Sequence, residues 1–131
     1  MATSSILVVD DFRPWRRLVR SLVERNPLFQ VTGEASDGQE AIAKAIELQP
    51  DIILLDLEMP VLNGIEACKI IRRRCPRSKI LFVTQERDSD VRNEAMRTGA
   101  VGFVLKSNAA CEIVDVMLGV LNPLSKSVAN V

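Results

Sequence analysis

Five polar side chains follow short apolar segments, and their types could carry chemistry: Asp10, Asp11, Asp56, Thr84 and Lys106. Asp56 is the most informative, because it follows four consecutive apolar residues that are typical of a strand buried on both faces. An unpaired charge is costly to bury, so its carboxylate should face a crevice. Carboxylates can act as nucleophiles toward phosphoryl groups, and we therefore predict that Asp56 is a nucleophile.

The same set of residues predicts a cation. Residues that follow parallel strands meet at one edge of a sheet, so Asp10, Asp11 and Asp56 should converge there. Each close pair would repel by about 4 kcal/mol at about 4 Å and an effective dielectric of about 20. The chain has no histidine and no zinc-like cysteine spacing, which favours Mg²⁺. Lys106 would meet a phosphoryl group with positive charge, and the Thr84 hydroxyl could donate to it.

The elements that position these residues alternate along the chain. Apolar and β-branched runs predict five strands, over residues 5–9, 29–35, 52–56, 79–84 and 101–105. Five helices follow them, and the fourth, over residues 88–98, has a thin apolar face. The alternation favours parallel βαβ units and a doubly wound, three-layer α/β sandwich. The first helix has its apolar stripe at Trp15, Leu18, Val19, Leu22 and Val23, and Asn63 is a predicted helix cap.

Length and composition are those of an ordinary globular domain. The chain has 131 residues, 47% of them hydrophobic, which is enough for one core. Lysine plus arginine (17) balance aspartate plus glutamate (17), so the arginine-rich helix faces are interpreted as solvated rather than as nucleic-acid sites. The apolar run 6–9 is too short for a signal peptide or membrane span, which predicts a cytoplasmic protein without membrane contact. The cysteines, Cys68, Cys75 and Cys111, are predicted to be buried.

In order and spacing, these residues resemble the receiver domain of bacterial two-component response regulators. Residues 56–64, DLEMPVLNG, are similar to the family signature D-x-x-M-P-x-x-[ND]-G. Residues 99–103, GAVGF, are similar to its approach to the fifth strand, G-A-x-[GA]-[FY]. The resemblance implies a flavodoxin-like, five-stranded parallel sheet in the order 2-1-3-4-5 with five helices. It also implies a receiver domain at residues 1–121, with residues 122–131 as a loose tail or the start of a linker.

The resemblance implies how the acidic edge works. Asp56 would be the phosphoacceptor, and Lys106 would be the family's lysine. Mg²⁺ would be bound by Asp10, Asp11, Asp56 and the backbone carbonyl of Glu58. The alternative that Asp10 and Asp11 simply cap the first helix stays open from their position alone.

The resemblance also implies a switch. Phosphorylation would draw Thr84 inward and let Phe103 rotate, reshaping the face made by the fourth helix, fifth strand and fifth helix. The side chains of Glu58 and Glu86 would tune dephosphorylation. Gln85 departs from the family, which usually has a small residue there, and would crowd entry to the site.

The implied function is a phosphorelay receiver, not a stand-alone enzyme. A sensor histidine kinase or phosphotransfer protein would supply the phosphoryl group, and phosphorylation could promote homodimerisation. Ser107 after the lysine is more similar to receivers joined to LuxR-type helix-turn-helix domains, which favours transcription as the output. The chain is expected to be either a single-domain regulator or the receiver of a longer transcription factor, and the Lys106-Ser107 pair favours the second. DNA binding would then belong to an output domain absent from this chain.

Three other functions fit the residues less well. A haloacid-dehalogenase-like phosphohydrolase carries a D-x-D-x-T motif after its first strand, which residues 10–14, DDFRP, do not match. A flavodoxin-like flavin binder needs a first loop rich in Ser, Thr and Gly, whereas this loop is acidic and would repel phosphate. A receiver-shaped module that is never phosphorylated would not need an intact acidic pair, acceptor and lysine.

Overall fold

Strands and helices alternate and wind into three layers. The computed structural model describes residues 3–121. Its elements are β1 (Ser4–Val9), α1 (Arg13–Glu24), β2 (Phe29–Ala35), α2 (Gly38–Leu48), β3 (Ile52–Leu55), α3 (Gly64–Arg74), β4 (Lys79–Thr84), α4 (Ser89–Arg97), β5 (Gly102–Leu105) and α5 (Ala109–Leu121), with a 3₁₀ turn at Lys106–Asn108. The strands form one parallel sheet in the order β2-β1-β3-β4-β5. The predicted doubly wound fold is therefore confirmed.

The sheet is buried on both faces, which explains why its central strands are continuous apolar runs. One set of strand side chains, including Leu7 and Ile53, packs with α2, α3 and α4. The alternate set, including Ile6 and Ile52, packs with α1 and α5. Successive side chains of a strand point to opposite faces, so each strand supplies both cores.

The register of the central strands aligns their carboxyl ends. Val9 of β1 pairs with Leu55 of β3, and Leu55 pairs with Phe82 of β4. The residues that follow β1 and β3 are Asp10 and Asp56, so parallel pairing brings these two carboxylates to the same edge.

The structure confirms one predicted helix cap and contradicts another. The Asn63 side chain accepts a hydrogen bond from the backbone N–H of Glu66 at 3.0 Å, so the predicted cap of α3 is confirmed. The cap residue of α1 is Phe12, which makes no side-chain capping bond. Asp10 and Asp11 are therefore not the caps of α1, and that alternative is wrong.

Two burial predictions are wrong for a geometric reason. Cys111 is exposed, because the buried face of α5 repeats every four residues at Ala109, Ile113 and Met117, and Cys111 lies halfway between the first two. Leu18, predicted on the apolar stripe of α1, is 49% exposed. Cys68 and Cys75 are buried as predicted.

The remaining expectations concern the chain ends and membranes. The predicted tail at 122–131 lies outside the described residues. Within residues 3–121, every helix is too short or too polar to span a bilayer.

Candidate functional site

The site is built on the loop that follows β3. The backbone N–H of Asp56 donates to the carbonyl of Val9 at 3.2 Å, which ties the loop to the end of β1. One carboxylate oxygen of Asp56 accepts from the N–H of Leu57 at 2.8 Å. Behind it, Gly64 opens α3 so close to the Asp56 carbonyl that a Cβ there would collide with it. Asp56 is consequently held at the sheet edge, and its second carboxylate oxygen accepts from Lys106.

Three carboxylates meet at this edge. Asp10, Asp11 and Asp56 each place one ligand oxygen within 4.8 Å of the others. Asp10 and Asp56 are buried, whereas Asp11 is exposed. The sequence argument expected this convergence, and the parallel register produces it.

Lys106 supplies the opposite charge. Its Nζ lies 2.6 Å from Oδ2 of Asp10 and 3.3 Å from Oδ2 of Asp56, where it donates a hydrogen bond. Burial raises the pKa of Asp10, and the nearby Asp56 carboxylate adds to this, while contacts with Lys106 and the Phe12 N–H oppose it. Burial alone would lower the pKa of Lys106, but its contacts with Asp10 and Asp56 outweigh burial and raise it.

The donor set fits a hard divalent cation. Oδ2 of Asp10 is buried 2.6 Å from the Lys106 ammonium. Three carboxylates that place ligand oxygens within 4.8 Å of one another are oxygen ligands of the kind that Mg²⁺ prefers. The three carboxylates present at this edge therefore suit this ion.

An open cavity of about 650 Å³ gives access to the acidic edge. Nine residues line the cavity: Asp11, Phe12, Asp56, Glu58, Met59, Pro60, Thr84, Gln85 and Lys106. Gln85 is one of the lining residues, and crowding of entry by its side chain stays a prediction. Glu58 borders the cavity with an exposed side chain.

Of the two predicted switch residues, Thr84 lines the cavity and Phe103 does not. The Thr84 hydroxyl is buried and accepts a hydrogen bond from the N–H of Glu86 at 3.2 Å. Phe103 is half-buried, and its ring centroid lies 6.4 Å from that of Phe82. The guanidinium carbon of Arg92 lies 5.2 Å from the centroid of the Phe103 ring. Phe103 and Glu86 are not among the residues that line the cavity.

Arg16 supports the site, although the sequence analysis assigned it to a solvated helix face. The arginines of α1 were predicted to be solvated, but the Arg16 side chain is only 14% exposed. It donates to the backbone carbonyl of Asp10 at 2.7 Å and to Glu34 at 2.9 Å. Arg16 thereby fixes the loop that carries the acidic pair. No local pattern distinguishes it from its solvated neighbours.

Comparisons with known proteins agree with this geometry. A protein-family model described as the response regulator receiver domain matches residues 6–118. The chain is 40% identical over 115 residues to the transcriptional regulatory protein LnrK of Bacillus subtilis, covering 88% of this chain and 52% of LnrK. It is 41% identical over 110 residues to a protein-glutamate methylesterase/protein-glutamine glutaminase of Thermotoga maritima, covering 82% of this chain and 32% of the relative.

Solved structures give the same result. A two-component response regulator of the LuxR family from Aurantimonas superposes with a TM-score of 0.88 at 36% identity, covering 93% of this chain and 87% of that one. The chain therefore spans about half of the LnrK regulator and about a third of the methylesterase.

Proposed function

The chain belongs to the response regulator receiver family, and from this premise we propose that Asp56 accepts a phosphoryl group from a phosphohistidine on a sensor histidine kinase or phosphotransfer protein. The observation that carries the proposal is the placement of the Asp56 carboxylate in an open cavity, beside two further carboxylates and 3.3 Å from the Lys106 ammonium. Receivers of this family exchange phosphoryl groups with such partners.

The chemistry follows from the residues around the acceptor. A carboxylate oxygen of Asp56 would attack phosphorus as the phosphorus–nitrogen bond of the donor breaks, giving an aspartyl phosphate and a free imidazole. Lys106 would neutralise charge on the phosphoryl oxygens, and the Thr84 hydroxyl would donate to one of them.

A magnesium ion would complete the site. Asp10, Asp11, Asp56 and the backbone carbonyl of Glu58 are the residues that would hold it. When bound, the ion supplies the positive charge that in-line phosphoryl transfer needs.

The output lies outside the receiver itself. Receivers are not catalytic domains, and we propose that this one uses Thr84 and Phe103 to switch the α4-β5-α5 face, with Glu58 and Glu86 tuning the lifetime of the phosphoryl group. Transcription is the favoured output, supported by the likeness to LnrK and to the LuxR-family regulator. We assign residues 1–121 to the receiver and 122–131 to a tail or linker. Family membership supports a cytoplasmic location and dimerisation on phosphorylation.

A phosphorus–nitrogen donor tests the proposal. The protein would be incubated with phosphoramidate and Mg²⁺ and resolved on a gel that retards phosphoproteins. Wild type and Asp51→Asn should both shift, because Asp51 lies at the opposite end of β3. Asp56→Asn should not shift. Retention of the shift in Asp56→Asn would contradict the assignment.

A further inference from the structure

The Lys106 ammonium has an aromatic neighbour in addition to the two carboxylates. Its Nζ lies 5.1 Å from the centroid of the Trp15 ring, within the range of a cation–π contact. The Lys106 side chain is only 12% exposed, so water screens this contact weakly. Three groups, two carboxylates and one indole, therefore determine where the ammonium lies.

The indole is itself held in place. Trp15 lies in the first turn of α1, where its backbone N–H donates to the Phe12 carbonyl at 3.0 Å. The next residue, Arg16, is bonded to the Asp10 carbonyl at 2.7 Å. The ring is half-buried and packs against the core between the sheet and the helices α1 and α5. Trp15 can thus act as a fixed surface for a flexible lysine.

We propose that Trp15 is a positioning residue that holds the Lys106 ammonium beside Asp56. This inference rests on the proposed function, because it gives Lys106 a role in phosphoryl transfer. Once a cation is bound, the carboxylates alone would hold Lys106 less firmly, since both are candidate ligands of that cation and it would compete with the ammonium for them. The Trp15 indole is not a ligand of a cation bound by these carboxylates, so its contact with Lys106 would persist when the cation binds. The contact also limits the rotamers open to the flexible lysine side chain.

Ring-current shifts test the contact without any phosphorylation. In the magnetic resonance spectrum, the ε-methylene protons of Lys106 should be shifted upfield in wild type. The shift should be lost in Trp15→Leu and largely kept in Trp15→Phe. Leu18→Ala changes an exposed side chain of the same helix and should leave the Lys106 signals unchanged.

Loading kinetics test the role. With acetyl phosphate as donor, Trp15→Leu should lower the maximal rate of phosphorylation about fivefold, and Trp15→Phe about twofold. The half-saturating concentrations of donor and Mg²⁺ should not change. In a Lys106→Met background, adding Trp15→Leu should have no further effect, because the two residues act through one contact.

The outcomes separate this inference from the proposed function. A loaded wild type whose Lys106 protons lack the upfield shift contradicts the positioning role alone. The same holds if Trp15→Leu slows loading equally with and without Lys106, since the indole would then act only through folding. If instead acetyl phosphate does not phosphorylate wild type in the presence of Mg²⁺, the proposed function fails, and the positioning role fails with it.

Discussion

Replacing Lys106 by methionine should destabilise the protein in the absence of metal. The ammonium lies 2.6 Å from Asp10 and 3.3 Å from Asp56, and the three side chains are 12%, 1% and 7% exposed. At an effective dielectric of about 20, the attractions are about 6 and about 5 kcal/mol, and desolvation of the ammonium offsets much of them. Removing one partner of a buried ion pair costs about 3–5 kcal/mol, so we expect a loss of about 3 kcal/mol.

Thermal unfolding with and without Mg²⁺ measures this loss. For a domain of this size, about 3 kcal/mol corresponds to a melting temperature about 10 °C lower. Mg²⁺ would neutralise the carboxylates again, so it should raise the melting temperature more in the variant than in wild type. Lys69→Met is the matched control, because its pair with Glu66 is half exposed and contributes less than about 1 kcal/mol.

Two results would refute the reasoning. One is a Lys106→Met variant that melts within about 2 °C of wild type in a chelator, since the carboxylates would then need no ammonium. The other is a Mg²⁺-induced rise that is no larger in the variant, which would mean that the ion does not bind where Lys106 lies.

Three further predictions concern the loop, the buried thiols and the switch. Gly64→Ala should abolish loading by acetyl phosphate, because its Cβ would collide with the acceptor's carbonyl, whereas Gly119→Ala, with open space around it, should load normally. Burial raises the pKa of the Cys68 and Cys75 thiols above the ordinary 9.0, so the unfolded chain loses these protons first. The free energy of unfolding, measured by urea titration, should therefore fall as the pH rises above about 9. It should fall less steeply in a variant in which Cys68 and Cys75 are both replaced by alanine. Thr84→Val should still be phosphorylated by acetyl phosphate, but beryllofluoride should no longer shift the resonances of the Phe103 ring on β5.

The fold was predictable because its signals are local. β2 and β4 have the predicted bounds, since each is a run of strand-forming residues between turn residues. Small errors arose where a strand meets a loop: β3 ends at Leu55 rather than Asp56, and β5 begins at Gly102 rather than Val101. At such ends the last hydrogen bonds depend on the neighbouring strand, which composition does not reveal.

The acidic residues of the candidate site were predictable from the sequence, but the contacts that hold the site in place were not. Parallel strand ends bring the acidic residues together, so their types and order sufficed. The bond from Arg16 to the Asp10 carbonyl and the approach of Trp15 to Lys106 are tertiary contacts. Their side chains matched the ordinary patterns of an amphipathic helix, one as a surface charge and one as a core residue, and only the packing of α1 on the sheet distinguishes them.

Mapping the phosphorylated residue tests the central claim most directly. The protein would be treated with acetyl phosphate and Mg²⁺, reduced with borohydride, which converts an aspartyl phosphate to homoserine, and digested for mass spectrometry. The account predicts homoserine at position 56 in wild type, and none when Mg²⁺ is chelated. Homoserine at another aspartate, or loading that persists in Asp56→Asn, would contradict it.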